Sequence, residues 1–297
     1  MALHADLSRY ASRIDRDRNL KEEVLVFEHK GARLFGLLHL PLVVPRGFRR
    51  AGLVLCSPFA VEQVGASLLQ VETARVFAAN GFCVLRFHYR GSGDSDGESE
   101  ELTLSGQVAD TLRAIDLLCE RERLDRIGLL GIRLGGTVAA LAAEAEARVQ
   151  ALILWEPVIR PKAYFSEFLR AKIFSELMNH QQPRASVNQM LDEMQRTGQV
   201  EALGYLLHRR LFDDAASVDL TSDLKTFSGP ALVVQISRKA KVQSEFQMLR
   251  QRLEANGAQC DLEVVMEEPG WFFGVDTPYR SERLIGLTRN WCRQHLL

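Results

Sequence analysis

The chain has 297 residues, and its 37 basic side chains nearly cancel its 38 acidic ones. This balance leaves no overall field that would attract nucleic acid or an anionic membrane surface. No apolar run approaches the ~20 residues of a membrane span, and the first residues lack the apolar core of a secretion signal. We therefore expect a cytoplasmic protein with no membrane span and no nucleic-acid partner.

The cysteines are scattered along the chain without Cys-x-x-Cys spacing or a Cys/His ligand pattern. Their odd number and wide separation favour reduced thiols, mostly in the core, over disulfides or zinc ligands. We therefore expect no metal site and no cofactor. The cysteines are Cys56, Cys83, Cys119, Cys260 and Cys292.

The chain begins with a charged, weakly amphipathic stretch, residues 1–20, which predicts a short helix or a loose arm. Alternating apolar residues at 23–28 and 33–40 then predict an antiparallel hairpin at a sheet edge. After the hairpin, strand and helix patterns alternate. Strands are predicted at 51–56, 82–87, 126–130, 151–155, 230–236 and 260–266, and helices at 71–79, 104–119, 134–143, 242–254 and 281–292.

A polar, glycine-rich loop occupies residues 88–97. Its Gly-Ser-Gly-Asp-Ser run has two interpretations, a loop that cradles phosphate or a tight turn at the rim of a site. The chain lacks Gly-Lys-Ser/Thr here, and it lacks the dinucleotide spacing that opens a helix. We therefore favour the turn.

Alternating strands and helices predict a mostly parallel central sheet with helices on both faces. Such sheets bind ligands at the carboxyl ends of their strands. That edge would bring together the 56–59 loop, the 88–96 loop, Arg133 and Glu156. From 159 to 225 the pattern is helical instead, with helices predicted at 164–178 and 187–196 and a further helix or strand at 201–212. We expect a helical lid, residues 159–225, inserted into a core domain of residues 1–158 and 226–297.

A glycine-cornered turn, Gly131 to Gly135, joins a buried strand to a helix of small apolar residues. Its spacing matches the Gly-x-Ser-x-Gly nucleophile elbow of the α/β-hydrolase fold, which is the fold class that we predict. The apex, however, is Arg133. A guanidinium stays protonated and has no lone pair for a carbonyl carbon, so this apex cannot perform acyl chemistry.

The other two positions of a hydrolase triad are also altered. The acid should follow the strand at 230–236, where Ser237 begins a stretch without a carboxylate. The base should follow the last strand, but no histidine lies between His208 and His295, and Trp271 stands near its place. A serine without an imidazole has no general base. The sequence therefore predicts that the Ser-His-Asp triad is absent.

Several segments resemble a known family, namely residues 128–136, 154–159 with 168–170 after it, 90–95 and 269–272. They are similar to the α/β-hydrolase-like proteins called exosortase A system-associated hydrolase 2, over nearly the whole chain. The resemblance implies that arginine at the elbow is a family trait. It also implies a link to bacterial exopolysaccharide and exosortase systems, while the name "hydrolase" follows from the fold alone.

Arg133 has two interpretations. Beside the first N–H groups of the following helix it would form an anion site for a carboxylate or phosphate. Alternatively, it pairs with Glu156 or Glu62 and only fills the vacant position. The first interpretation predicts a site for a small anionic or acyl ligand. Its residues would be Arg133, Leu134, Ser57, Phe59, Glu156 and Trp271.

Two functions remain open at this point. One is a pseudohydrolase that binds an acidic small molecule or an acyl or peptide group. The alternative is an active ester or thioester hydrolase, or an acyltransferase, with Cys56 or Ser57 as a displaced nucleophile and His88 as its base. The absence of a downstream histidine favours the pseudohydrolase. The sequence leaves open whether a homo-oligomer forms.

Overall fold

A computed structural model of the chain describes residues 11–44, 50–179, 182–183, 185–270 and 279–297. Within these residues a nine-stranded sheet forms the centre, and a two-stranded sheet lies apart from it. In chain order the strands are β1 (Ser12–Asp15), β2 (Leu20–His29), β3 (Ala32–Pro41), β4 (Ala51–Cys56), β5 (Phe82–Phe87), β6 (Ile127–Ile132), β7 (Val149–Trp155), β8 (Gln199–Ala202), β9 (Tyr205–His208), β10 (Ala231–Ile236) and β11 (Cys260–Val265).

The central sheet has the order β1-β2-β3-β5-β4-β6-β7-β10-β11. From β5 to β11 all neighbouring strands are parallel, whereas β1, β2 and β3 join antiparallel at one edge. Every residue of β4, β6 and β10 is buried. Continuous apolar runs form such strands because helices cover both faces of a parallel sheet. The predicted sheet is therefore confirmed.

The helices divide between the two faces of this sheet. In chain order they are α1 (Val61–Gly65), α2 (Ser67–Ala79), α3 (Leu104–Glu122), α4 (Leu134–Ala145), α5 (Pro161–Met178), α6 (Val187–Thr197), α7 (Arg209–Ala215), α8 (Leu220–Asp223), α9 (Ser244–Ala255) and α10 (Glu282–His295), with a short 3₁₀ turn at Ser99–Glu101. One core cluster holds apolar residues of α3, α4 and α9, and the other holds those of α2 and α10. None of the described helices combines the length and apolar character of a membrane span.

The segment between β7 and β10 contains helices and a small β-hairpin. Helices α5 and α6 extend the two predicted ones, and the stretch that predicted "helix or strand" is the hairpin β8–β9 followed by α7. Leu203 and Gly204 turn this hairpin, both with positive φ. Two residues with φ above zero are the geometry that two-residue hairpins prefer. The insertion is therefore less uniformly helical than the sequence pattern predicts.

The N-terminal prediction needs a second correction. Residues 12–15 form the edge strand β1 on β2, not a helix or a loose arm, and residues 1–10 lie outside the described part of the chain. The 88–97 loop is a series of turns, as favoured, and its Asp96 carboxylate holds the Arg33 guanidinium through two hydrogen bonds. The ends of β5, β4, β6 and β7 are neighbours, which brings the predicted loops to one edge.

Candidate functional site

The elbow has the strained geometry of a nucleophile turn. Arg133 follows β6 with φ 53° and ψ −120°, a conformation that side-chain-bearing residues adopt rarely, and α4 starts immediately after it. A Cβ on Gly131 would lie 2.3 Å from the backbone oxygen of Gly135, and one on Gly135 would lie 2.2 Å from that of Cys56. Both glycines are therefore required by close backbone contact.

The Arg133 side chain lies in a buried network of charges. Its Nε donates to Oε1 of Glu62 at 3.0 Å, and its Nη1 donates to the backbone oxygen of Glu156 at 3.2 Å. The Tyr164 hydroxyl donates to the other oxygen of Glu62 at 2.9 Å, and the guanidinium lies 5.6 Å from the centre of the Tyr164 ring. Glu62 is fully buried. The network thus joins the elbow to α1 and to α5 of the insertion.

The second carboxylate of the network, Glu156, follows β7 and has a positive φ of 45°. Its Oε2 lies 4.0 Å from Arg133 Nη1, and its Oε1 accepts a hydrogen bond from the backbone N–H of Ile236 at 3.0 Å. Of the two acids proposed from sequence, Glu62 therefore makes the hydrogen bond and Glu156 the longer contact. With two carboxylates beside it, Arg133 has its charge compensated within the protein.

Burial controls the protonation of this network. Burial raises the pKa of the Glu62 carboxyl, against the Arg133 charge and the Arg133 and Tyr164 hydrogen bonds, which lower it. Burial also lowers the pKa of Arg133, but Glu62, Tyr164 and Glu156 more than offset this, and its pKa stays above its ordinary value. The pKa of Tyr164 is raised by burial and by the neighbouring Glu62. Arg133 therefore remains a cation.

Of the other two triad positions, only the acid position at Ser237 lies in the described residues. Ser237 follows β10, as predicted, and its Oγ accepts a hydrogen bond from the backbone N–H of Lys239 at 3.1 Å. Trp271, the predicted occupant of the base position and a predicted ligand contact, lies outside the described residues. No group of three or more His, Cys, Asp or Glu side chains suited to a metal occurs in the described ranges.

The three residues of the predicted displaced pair each contact a different partner in the structure. Cys56 is fully buried beside Thr111, and burial raises the pKa of its thiol to about 12. Ser57 donates its hydroxyl to Gln70 at 2.8 Å, and Nδ1 of His88 accepts the backbone N–H of Asp94 at 3.0 Å. His88 makes no hydrogen bond to Cys56 or Ser57 among the described contacts. Cys56 in particular cannot supply a thiolate near neutral pH.

A pocket of about 550 Å³ lies between the core and the insertion. Of the ligand contacts predicted from sequence, Phe59 lines it, whereas Ser57, Arg133, Leu134 and Glu156 do not. Leu134 is only 1% exposed. The described residues that line it carry no Lys, Arg, Asp or Glu side chain. They are Pro58, Phe59, Ala60, Gln63, Val64, Ser67, Tyr89, Gly91, Ser92, Gly93, Ser99, Leu102, Gln107, Gly204, Tyr205, Leu206, His208 and Leu211.

The pocket also contains a serine and histidine pair that sequence reasoning missed. Ser99 Oγ lies 3.0 Å from Nε2 of His208, and both line the pocket. Ser99 is exposed on its 3₁₀ turn, and burial lowers the pKa of His208, so the imidazole is neutral near pH 7. The two residues are 109 positions apart in the chain. No local pattern could have paired them.

The comparison of the chain with known protein families agrees with the fold and the elbow. The family model described as serine aminopeptidase, S33, matches residues 66–227, which is more than half of the chain and includes the elbow. The chain belongs to this family. The S33 serine aminopeptidases are α/β hydrolases, which confirms the predicted fold class. The exosortase-associated subfamily is a finer assignment than this match supports.

Similarity to curated proteins is local. An uncharacterized 31.7 kDa protein of the traX-finO intergenic region of Escherichia coli is 38% identical over 82 residues, 27% of this chain and 29% of that protein. A second Escherichia coli protein of the same description is 37% identical over 82 residues. The matched stretch thus spans less than a third of these relatives' own length.

Solved structures confirm the fold over nearly the whole chain. An esterase of Pyrococcus furiosus has a TM-score of 0.61 at 15% identity, covering 95% of this chain and 94% of its own. Est1E of Butyrivibrio proteoclasticus, solved with ferulic acid, has 0.59 at 19% identity, with 91% and 96% covered. Mouse alpha/beta hydrolase domain-containing protein 10 has 0.58 at 14% identity, with 92% and 97% covered. Identities this low support the fold alone.

Proposed function

We propose that this S33-family chain is a pseudohydrolase that binds a small molecule in the 550 Å³ pocket. The observation that supports it is the apex of the elbow, where Arg133 takes the place of a nucleophile and is held by Glu62 at 3.0 Å. A guanidinium in this position can neither attack a carbonyl carbon nor leave the site without exposing a buried carboxylate. The pair then holds in place the helix of Glu62, whose Gln63 and Val64 line the pocket.

The pocket walls indicate what the ligand contains. Apolar side chains such as Phe59, Leu102 and Leu211 form much of the lining, and Gln63 and Tyr205 add polar atoms. Sites of this kind bind a mostly apolar body and orient it through a few polar groups. The ligand that we propose is a molecule with an acyl or peptide group, bound with the insertion acting as a lid. Arg133 is held by Glu62 and does not line the pocket, so an acidic group on the ligand needs another partner.

The biological setting belongs to the proposal as well. The resemblance to exosortase-associated proteins supports a role beside bacterial exopolysaccharide or protein-sorting systems. The ligand would then be an intermediate or an end group from such a system. Deleting the gene in its host and measuring exopolysaccharide and sorted-protein levels tests this role, and unchanged levels of both would exclude it.

The absence of hydrolysis is tested by intact-mass measurement after a fluorophosphonate probe, together with turnover of short-chain p-nitrophenyl esters. We expect neither labelling nor turnover. Arg133→Ser is the matched variant: it restores a hydroxyl at the apex but no histidine, so we expect it to stay unlabelled at this position. Stoichiometric labelling of the unmodified chain with turnover would refute the pseudohydrolase.

A second candidate function rests on the Ser99 and His208 pair. A neutral imidazole 3.0 Å from a pocket hydroxyl is the geometry of a nucleophile and its base, which would make the chain an ester hydrolase with a displaced site. The labelling experiment separates the two functions. An adduct on Ser99 that Ser99→Ala and His208→Asn both abolish would establish this alternative, and an unlabelled Ser99 would exclude it.

A further inference from the structure

Arg86 lies away from the elbow with a partly buried guanidinium that makes no ion pair among the described contacts. Arg86 is the fifth residue of β5 and packs against α2, and its Nε is inaccessible to solvent and makes no hydrogen bond. Within the described residues no carboxylate lies within ion-pair distance of it. Leaving the buried Nε–H without an acceptor is costly, because its hydration is lost and nothing replaces it.

The neighbours of Arg86 add positive charge. Arg75 takes both oxygens of Glu22, at 2.7 and 3.1 Å, so the carboxylate that lies nearby is already engaged. His39 is 1% exposed, and neither of its ring nitrogens makes a hydrogen bond, although Nδ1 lies 3.2 Å from Oε1 of Glu22. Arg86, Arg75 and His39 thus line one cavity with Glu22, whose two oxygens Arg75 already holds. The side chains that line this cavity therefore carry more positive than negative charge, and the Nε–H of Arg86 lacks an acceptor.

Two cavities beside Arg86 are large enough to hold a hydrogen-bond acceptor with a negative charge. Arg86 lines a cavity of about 180 Å³ together with Ser57, Gln70 and His88, and a second of about 220 Å³ together with His39 and Arg75. A water molecule needs roughly 30 Å³. Either cavity can therefore hold a carboxylate or a phosphate group. The Gln70 amide N–H groups in the first cavity, and an imidazole N–H of His39 in the second, can donate to such an oxyanion.

We propose that Arg86 anchors a binding site for an oxyanion group, a carboxylate or a phosphate, in the two small cavities that it lines. Burial and the charge of Arg75 lower the pKa of Arg86 to about 10, so it is still a cation at neutral pH. The planar guanidinium would bind the oxyanion through two hydrogen bonds. The oxyanion would also supply a negative charge, which a water molecule in the same place cannot supply.

This site also gives the proposed ligand a place for its acidic group. The cavity beside Ser57 shares Gln63 and Ser67 with the 550 Å³ pocket. A ligand whose apolar part fills that pocket would therefore place its acidic end at Arg86, not at Arg133. This extension rests on the proposed function, whereas the oxyanion site itself does not.

The test measures the melting temperature of the full chain at pH 7 in sodium chloride, acetate or phosphate at equal ionic strength. We expect acetate or phosphate to raise it by about 3 °C at ten times the dissociation constant. The oxyanion that raises it more identifies the carboxylate or the phosphate source. Titration calorimetry of the unmodified chain with the same salts checks binding without any variant. No heat and equal melting temperatures would overturn the proposal.

Variants then locate the site. Arg86→Met removes the charge at similar length, and we expect it to lose the response while melting at an equal or higher temperature in chloride. Arg86→Lys keeps the charge without the fork and should respond more weakly. Arg250→Met removes an exposed guanidinium and should respond like the unmodified chain. A full response in Arg86→Met would overturn the assignment.

Decanol and decanoate separate this inference from the proposed function. Decanol tests the apolar pocket, acetate or phosphate tests Arg86, and decanoate tests both together. Binding of decanol without any oxyanion would refute the Arg86 site and retain the pocket. Oxyanion binding without decanol binding would retain the Arg86 site and refute the extension. Decanoate binding at least tenfold tighter than either, lost in Arg86→Met, would support the complete ligand.

Discussion

Replacing Glu62 by glutamine tests whether the elbow network is an ion pair that the fold depends on. The carboxylate is fully buried and lies 3.0 Å from Arg133 Nε. Two unit charges at this distance attract by roughly 5 kcal/mol at an effective dielectric constant of ~20. Removing one partner of a buried pair costs about 3 to 5 kcal/mol in measured cases. Because the amide can still accept one hydrogen bond, we expect Glu62→Gln to lose about 3 kcal/mol.

The assay is urea unfolding followed by circular dichroism, with Glu254→Gln as the matched control. That change breaks an Arg–Glu contact of 2.7 Å in which both side chains are more than a third exposed, so it should cost less than about 0.5 kcal/mol. Arg133→Met and the double variant complete a cycle, and we expect a coupling of about 1 to 3 kcal/mol. A Glu62→Gln loss equal to the control, or additive single effects, would refute the ion-pair reasoning.

Three further predictions concern the core. Gly135→Ala should lower the free energy of unfolding by about 3 kcal/mol, because its Cβ would meet the Cys56 backbone oxygen at 2.2 Å. Gly286 has open space around it, so Gly286→Ala should be neutral or stabilising in the same unfolding assay. Burial first, then nearby guanidinium charge, lowers the pKa of His39 to about 4, below the ~6.5 of the unfolded chain, so stability should fall as pH drops from 6.5 toward 4. His39→Gln should remove about 2 kcal/mol of the loss between pH 7 and pH 5, and equal pH profiles would contradict this. The thiol pKa of Cys56 is about 12, so Cys56 should not react with a disulfide reagent at pH 8 until urea unfolds the chain. The partly exposed Cys119 should react first. Mass mapping of early adducts checks this order.

The parts of the fold that were predictable are those with strong local patterns. The strands at 51–56 and 82–87 have the bounds that their apolar runs predict, because strands buried on both faces tolerate few polar residues. The edge strand β1 was missed, since its sequence Ser-Arg-Ile-Asp is polar and forms a strand only by pairing with β2. The hairpin β8–β9 was ambiguous because Leu203-Gly204 is not a typical turn pair.

The candidate site also has some features that the sequence predicts and others that it does not. The position of Arg133 followed from glycine spacing alone, because close backbone contact at the turn admits no other residue type on either side. The choice between Glu62 and Glu156 could not be made from sequence, since both acids follow strands that end at the same edge. The Tyr164 hydrogen bond to Glu62 spans 102 positions and depends on how α5 packs. Contacts of this kind leave no periodic signal in the chain.

The hydrogen bond from Tyr164 has a consequence for how a ligand enters. Because α5 carries this tyrosine, lifting that helix would strip a donor from a buried carboxylate and admit water to the charge pair. The hairpin β8–β9 meets the opposite wall through the bond between His208 and the exposed Ser99 instead. We therefore expect α5 to stay in place when a ligand enters. The hairpin β8–β9 would move instead, after the hydrogen bond between His208 and Ser99 breaks.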